Sequence, residues 1–260
     1  HLSLRRQRQM CIRDRIDGDP LIYVAAVKAE TNIDWGDSIV SRHANGDLAK
    51  ATLKELVAGM VEKVGADTFT LAVTIGDNFR FGVLPTYKSN RNPATKPLLV
   101  GPLRAWALEH YGKQCKWVET LEGDDVLGIL ATHPTLVPDK DRVLCSIDKD
   151  FKTIPGKFFD YGRDIRYDLS EDDANYHWMW QTLVGDVTDG YKGCPGVGPK
   201  TADSLLTQGA PLEELWEIVL ARFKKAKLGE TEALQQARVA RILRNGDYDF
   251  REKKVKLWTP

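Results

Sequence analysis

The chain has no net charge, its 37 Lys and Arg being matched by 37 Asp and Glu. A uniformly charged surface is therefore excluded, and any attraction for a charged partner must come from how the charges are grouped. No apolar run approaches eighteen residues, so no segment reads as a membrane-spanning helix. The four cysteines, Cys11, Cys115, Cys145 and Cys194, contain no CxxC pairing. Cys115 and Cys145 fall within apolar, strand-like runs, which fits buried thiols in a reduced, cytosolic setting. The histidines after His1 (His43, His110, His133 and His177) lack ligand spacing and read as surface or interface residues. Internal repeats and low-complexity tracts are absent. Disorder is excluded by 42% hydrophobic residues and seven Trp.

At 260 residues the chain can bury a substantial core, as one large domain or a large and a small one. Its charges are segregated: TYKSNR, ARFKKAK and REKKVK are basic, while carboxylates cluster elsewhere. The first fifteen residues, HLSLRRQRQMCIRDR, differ in texture from the rest, and without them the balance is 32 basic to 36 acidic. They lack the apolar stem of a secretory signal. They read as a foreign or mistranslated leader, resembling translated adapter sequence, or else as a genuine basic extension.

The stretch from Glu119 to Pro155 organises the chain. ETLEGDDVLGILATH reads as a helix opening with Glu122, Asp124 and Asp125. RVLCSIDKDFKTIP reads as an apolar strand ending at Asp148 and Asp150. Carboxylates gathered this densely repel one another and stay ionised only around a cation. All-oxygen ligands select hard divalent ions, Mg²⁺ or Mn²⁺.

Upstream, Asp17 ends the first strand, and Asp19 followed by Pro20 reads as a helix cap. With a foreign leader that first strand would be truncated. Asp47 begins an amphipathic helix through Val64 with Leu48, Leu56, Met60 and Val64 on one stripe. TFTLAVTI is a strand that runs out at Gly76 and Asp77. Residues 79 to 97 break periodicity as a basic, aromatic loop or short helix. A helix bearing Leu103, Trp106, Ala107 and Tyr111 follows, then the strand CKWVE. Strand and helix alternate throughout, which predicts an α/β fold with a mainly parallel sheet flanked by helices. Open sheets of this kind bind ligands at the carboxyl ends of their strands, so Asp17, Asp77 and Asp148 are expected at one edge. Beyond the strand KFFDY and a helix begun by Ser170, glycine and proline dominate, with Asp186 and Asp189 three apart. Residues 211 to 245 read as helical, and VKLWTP as a strand or tail docking by Trp258.

Nine carboxylates are thus candidate metal ligands: Asp17, Asp77, Glu122, Asp124, Asp125, Asp148, Asp150, Asp186 and Asp189. Two ions roughly 4 Å apart would make hydroxide near neutral pH and stabilise charge on a phosphate. Glu122, Asp124 and Asp125 could equally be helix-starters favoured by the dipole, and Asp148 and Asp150 turn residues. Gly196, Val197 and Gly198, followed by Pro199 and Lys200, read as a hairpin between short helices that holds a phosphate backbone without reading sequence. An ordinary helix turn is the alternative. Lys88 and Arg91 could contact the scissile phosphate and Tyr87 could stack on a base, or all three could belong to a solvated loop.

Taken together, IDGD at Asp17, GD at Asp77 with LPTYKSNR, LEGDDVLG, SIDKDFKTIP, GDVTDGYKGCPGVGPKTA, and the closing ARILRNGDYDF with VKLWTP resemble the 5′→3′ exonuclease and flap endonuclease family. The likeness is strongest to its short-tailed phage branch and covers nearly everything from Ile16 to Pro260. It implies a PIN-like nuclease domain over residues 16–184, with a short arch at about 79–100. A helix-hairpin-helix (helix-3-turn-helix) region and C-terminal helices over 185–260 would bind DNA. It also implies that the carboxylates matching Asp17, Asp77, Glu122, Asp124, Asp148 and Asp150 surround two metal ions, that Asp186 and Asp189 lie at the second ion, and that Asp125 is a further acidic member. Lys88 and Arg91 match basic residues at the foot of the arch. The hairpin at Gly196 to Lys200 matches the duplex grip, with a monovalent cation such as K⁺ in relatives. The implied substrates are double-stranded DNA with 5′ ends or flaps and RNA-DNA hybrids, in phage DNA replication and primer removal. A monomer in the host bacterial cytoplasm, with no membrane association, is expected. Rival readings are a phosphatase with Asp17 as nucleophile and Asp19 as acid, a single-strand ribonuclease of the same sheet type, and a non-catalytic DNA-binding module.

Overall fold

A computed structural model describes residues 13–37, 39–134 and 142–260. The first strand, β1 (Arg13–Asp17), runs straight into α1 (Gly18–Lys28), whose cap is Asp17: its carboxylate accepts the Asp19 amide at 3.2 Å. This corrects the sequence expectation, which gave the cap to Asp19. Asp19 instead accepts from the Thr74 amide and hydroxyl and pairs with Arg104 at 2.7 Å. An unanticipated hairpin follows, β2 (Glu30–Asp34) against β3 (Val40–Ala44), with Trp35 and Ile39 mostly exposed near its tip. Its strands are short and largely polar, so their alternation carries little signal.

The Asn45 side chain caps α2 (Gly46–Val64) by accepting the Asp47 and Leu48 amides. Its buried face is set by Leu53, Val57 and Met60, and Leu48, expected on that face, is half exposed. Next come β4 (Thr68–Ala72), a single helical turn α3 (Arg80–Val83), α4 (Val100–Tyr111), β5 (Cys115–Lys116) and α5 (Gly123–Thr132). The strands β6 (Arg142–Ser146), β7 (Gly156–Asp160) and β8 (Ile165–Leu169) lead to α6 (Glu171–Val184), begun as expected by Ser170, which forms a capping box with Asp173. Between residues 79 and 97 the chain forms α3, a 3₁₀ turn at Pro93–Thr95 and turns, with no long helix.

Among the described residues six strands make the central sheet, in the order β5-β4-β1-β6-β7-β8. All neighbours are parallel except β8, which closes one edge antiparallel to β7. β1 is therefore interior. Residues 13–15, read from sequence as the end of a leader, form part of this strand, while residues 1–12, with Cys11, lie outside the described residues. A charged triplet in a central parallel strand contradicts the apolar pattern such strands need. Asp14 is fully buried with neither oxygen hydrogen-bonded among the described residues, and burial pushes its pKa up to about 7 against the pull of the Arg166 and Arg15 charges.

One face of the sheet packs Ile16, Leu71 and Cys145 against α1, α2 and α4, and the other packs Ala72, Leu144 and Phe158 against Leu121 and Leu127 of the α5 region. A separate apolar cluster joins α6 to α7 (Pro199–Leu205), α8 (Leu212–Lys225) and α9 (Glu230–Ala240) through Trp178, Leu215 and Phe223. After a small antiparallel pair, β9 (Tyr248–Asp249) with β10 (Lys254–Val255), the tail docks as its sequence suggests. Trp258 meets Trp178 and Trp216 edge-on, with centroids 4.8 and 5.0 Å away. No helix among the described residues is long and apolar enough to cross a membrane.

Candidate active site

The carboxyl edge of the sheet places acids from distant sequence together because β1, β6 and the loop before α5 all end there. Ser146, the last residue of β6, fixes two of them. Its hydroxyl donates to Asp17 Oδ2 at 2.7 Å and accepts the Asp148 amide at 3.0 Å. Asp148 Oδ1 in turn accepts the Asp150 amide at 2.9 Å, so the turn after β6 is folded by its own acidic side chain. Glu122 is the cap residue of α5, which sets Asp124 in the first turn.

Asp17, Asp124, Asp148 and Asp150 crowd one another, and among the described residues none of them forms an ion pair, Lys88 and Lys149 acting only through their charge on Asp124, Asp148 and Asp150. Burial raises the pKa of Asp17 and of Asp124 well above the usual carboxylate value. The charge of Asp19, and less strongly that of Asp148, adds to the rise at Asp17; the charges of Asp17 and Asp148 add to it at Asp124. Burial also raises Asp148, with the charge of Asp189 adding to it, and lifts Asp150 to about 7, with the charge of Asp148 adding to it. Asp124 makes no hydrogen bond among the described residues, and Asp150 Oδ1 is buried without one. Gln181 and Tyr191 border Asp150.

The remaining acids are held by cations. Lys88 Nζ lies 2.5 Å from Glu122 Oε1 and 3.6 Å from Asp189 Oδ2, and Arg91 pairs with Asp189 at 2.6 Å. Lys149 pairs with Asp186 at 3.0 Å. Burial opposes ionisation of Glu122, yet the Arg80 and Lys88 charges outweigh it and hold its pKa below the usual value. Asp186 is lowered too, the Lys149 hydrogen bond and charge overcoming its burial. Glu122, Asp124, Asp148, Asp150 and Asp189 line a narrow cleft of about 50 Å³ with Lys88, while Asp17 lies behind it, bonded to Ser146, and Asp186 beside it, paired with Lys149. Among the described residues, no group of three or more Asp, Glu, His or Cys closes into a ready ligand shell.

Three sequence expectations change here. Asp125 is committed to Arg80 through two 2.8 Å hydrogen bonds and to the Leu243 and Glu122 amides at 3.1 Å, so its oxygens serve an internal clamp rather than the cleft. Tyr87 is buried, and its hydroxyl sits 2.9 Å from Asp189 Oδ2 and 3.1 Å from Glu122 Oε2, which removes it as a stacking platform. Asp77 is exposed, is not among the cleft residues and has no hydrogen bond to the other acids. Sequence reasoning missed Ser146, Arg80, Gln181 and Tyr191. Of these only Arg80 left a signal, as one of the three cations, with Lys88 and Arg91, of the basic segment after β4, though it was given no role in the site.

The glycine-rich hairpin packs beside this edge. Gly185 and Gly193 lie back to back with φ of 75° and 63°, and a Cβ on either would sit 2.4 Å from the other strand's backbone. That contact brings Asp189 back to the cleft and Asp186 within reach of Lys149 beside it. Gly196 also has positive φ, Val197 is buried, and Gly198 caps α7, whose second residue is the exposed Lys200.

No protein-family model matches the chain. It is 31% identical to the exodeoxyribonuclease of Enterobacteria phage T3 and 30% identical to the exonuclease of Escherichia phage T7. Each alignment spans 94% of this chain and 92% of the relative. Among solved structures, the phage T5 flap endonuclease, in a pseudo-enzyme-product complex with DNA and metal ions, superposes with a TM-score of 0.52 at 16% identity. That likeness covers 88% of this chain and 92% of the other and concerns the fold.

Proposed function

We infer the reaction from the family: the chain belongs to the phage exonuclease family represented by the T3 and T7 enzymes, and it is a 5′→3′ nuclease, a hydrolase of phosphodiester bonds. We propose that it works with divalent ions, Mg²⁺ or Mn²⁺, held by Asp17, Asp124, Asp148 and Asp150, with Glu122, Asp186 and Asp189 joining them as their lysine and arginine partners turn to substrate. Asp77, on the exposed loop after β4, and Asp125, inside its clamp, are not part of this set.

The observation that carries the reading is the division of the acids. Asp17 is buried and Asp124, Asp148 and Asp150 partly so; they repel one another, and the charges of Lys88 and Lys149 do not offset the rise in their pKa. Among the described residues none forms an ion pair, and Asp150 keeps a buried oxygen without a hydrogen bond there. Hard oxygen donors in that state fit a divalent cation, which would relieve the repulsion. The metal-containing complex of the T5 enzyme supports the same reading. Two such ions supply hydroxide near neutral pH and offset charge on the phosphate and the leaving oxygen.

The protein's own side chains do the rest. Ser146 fixes the direction of Asp17, and the Tyr87 hydroxyl orients Glu122 and Asp189. Lys88 leaves Glu122 to meet the scissile phosphate, where its ammonium steadies developing charge, and Arg91 holds the neighbouring phosphate. A water oxygen bonds to phosphorus, the bond from phosphorus to the 3′ oxygen breaks, and a proton ends on that oxygen. Gly196, Val197, Gly198 and Lys200 grip the duplex backbone, with K⁺ as the candidate cation at the hairpin. The proposed substrates are duplex DNA with 5′ ends or flaps and RNA-DNA hybrids. The proposed setting is phage DNA replication and primer removal in the host cytoplasm, by a monomer divided into a nuclease part (16–184) and a duplex-binding part (185–260). The phosphatase alternative loses its acid, since Asp19 is bound by Arg104 and Thr74.

Asp148→Asn tests this on a 5′-recessed and a flapped duplex with Mg²⁺. Cleavage should fall by about 10²-fold or more, and millimolar Mg²⁺ should raise the melting temperature of the unaltered chain but not of the variant. Undiminished cleavage, or activity that survives a chelator, refutes the metal reading.

A further inference from the structure

A second cavity, of about 570 Å³, opens between α9, α3 and β10, on the other side of the Arg80 segment from the acids. Phe79 and Val83 bracket Arg80 in sequence and wall this cavity, whereas Arg80 itself turns into the acidic cleft. The floor is apolar, made by Phe79, Val83, Val255 and Leu257, the last 41% exposed. The rim carries Arg238, Lys253 and Lys254, and among the described residues no carboxylate lines the cavity. Among the described residues, neither Lys253 nor Lys254 has an ion-pair partner.

The size lies within the usual range of ligand pockets, roughly 300–1,000 Å³. An apolar floor beneath an uncompensated cationic rim discriminates between occupants. A duplex backbone would satisfy the rim and leave the floor wetted, and an uncharged apolar ligand would fill the floor and leave the lysines unused. A chain segment with both features satisfies each part, its apolar side chain removed from water and its carboxylates steered to the rim.

We propose that this groove docks an acidic peptide segment of a partner protein, with an aromatic or aliphatic anchor on the floor and flanking carboxylates on Lys253, Lys254 and Arg238. The site stands apart from the nuclease reading, since none of its residues belongs to the carboxylate cluster.

The probe is a fluorescein-labelled peptide in which a run of aspartates precedes phenylalanine flanked by leucines, titrated into the full chain at low salt. Saturable binding is expected, weakening as salt rises because the rim contacts are screened. The paired change Lys253→Glu with Lys254→Glu, and separately Leu257→Ser, should each weaken binding about tenfold or more, a loss of about 1.4 kcal/mol. A peptide with serines in place of the apolar residues should bind as weakly. Cleavage of a plain duplex at saturating substrate reports that the variants fold. Equal peptide binding by variants and unaltered chain overturns the proposal. It is overturned equally if the lysine changes weaken duplex binding while leaving peptide binding intact, which would make the rim a DNA contact.

Discussion

Arg80 holds Asp125 with both ends of its guanidinium, Nη1 to Oδ2 and Nη2 to Oδ1, each at 2.8 Å, in a pair that is 3% and 0% exposed. The same arginine donates to the Val239 and Arg241 carbonyls at 2.9 and 2.7 Å, while Asp125 accepts the Leu243 amide. One ion pair thus fastens the segment after β4, the start of α5 and the chain beyond α9. Removing one partner leaves a buried charge uncompensated, so Asp125→Ala should lower the unfolding free energy by about 3–5 kcal/mol. Urea denaturation measures this, and a double cycle with Arg80→Met should show strong coupling. Calorimetry of Mg²⁺ binding should find affinity nearly unchanged in Asp125→Asn, and a large loss would return Asp125 to the metal set.

Lys88 sits at φ 53°, unusual for a side-chain-bearing residue, with its amide bonded to the Asp189 carbonyl at 2.8 Å. Its backbone is therefore held while its ammonium can exchange Glu122 for a phosphate. Lys88→Met should reduce kcat about 10²–10³-fold with little change in KM, the signature of charge stabilised only in the transition state. Arg91, 53% exposed, should act mainly on KM when changed to alanine. Single-turnover kinetics on a flapped duplex distinguish the two.

Asp14 links stability to pH. Its folded pKa of about 7 lies above the ordinary 3.8, so the folded chain keeps a proton that the unfolded chain loses as pH rises between those values. The stabilisation is complete below about pH 4 and is lost as pH approaches 7, by up to about 4 kcal/mol. Asp14→Asn should flatten that part of the stability profile, and Asp14→Leu should raise the melting temperature at pH 8, where the buried charge costs most. Melting curves from pH 4 to 8 decide it, and parallel profiles for the variant and the unaltered chain would show that Asp14 is ionised in the folded state.

At the hairpin, Lys200→Ala should weaken duplex binding uniformly across sequences and reduce the salt slope by about one, leaving turnover of saturated enzyme intact. Binding isotherms at several salt concentrations provide the measurement. Sequence-dependent losses would indicate base contacts in place of backbone ones.

Much of the site was legible because its parts repeat a local rule. Strand followed by carboxylate recurs at Asp17 and Asp148, and a parallel sheet carries such ends to one edge whatever the loops between them do. Helix starts at Glu122 and Ser170 were legible for the same reason, since a cap is decided within about four residues. The β2–β3 hairpin escaped because its short polar strands bury almost nothing and so leave no hydrophobic period.

What sequence alone determined is the composition of the site: a mainly parallel α/β sheet with acids at its carboxyl edge and a glycine hairpin nearby. Only the tertiary structure decided which acids stay free and which are neutralised. Asp125 is adjacent to Asp124 in the chain, yet Arg80 claims it from 45 positions away and the Leu243 amide from 118. Likewise Tyr87 faces inward to Asp189, 102 positions on, rather than outward. Residue type and spacing fix what chemistry a side chain can perform, but a carboxylate's charge state depends on burial and on cations within a few ångströms, and the folded chain sets both.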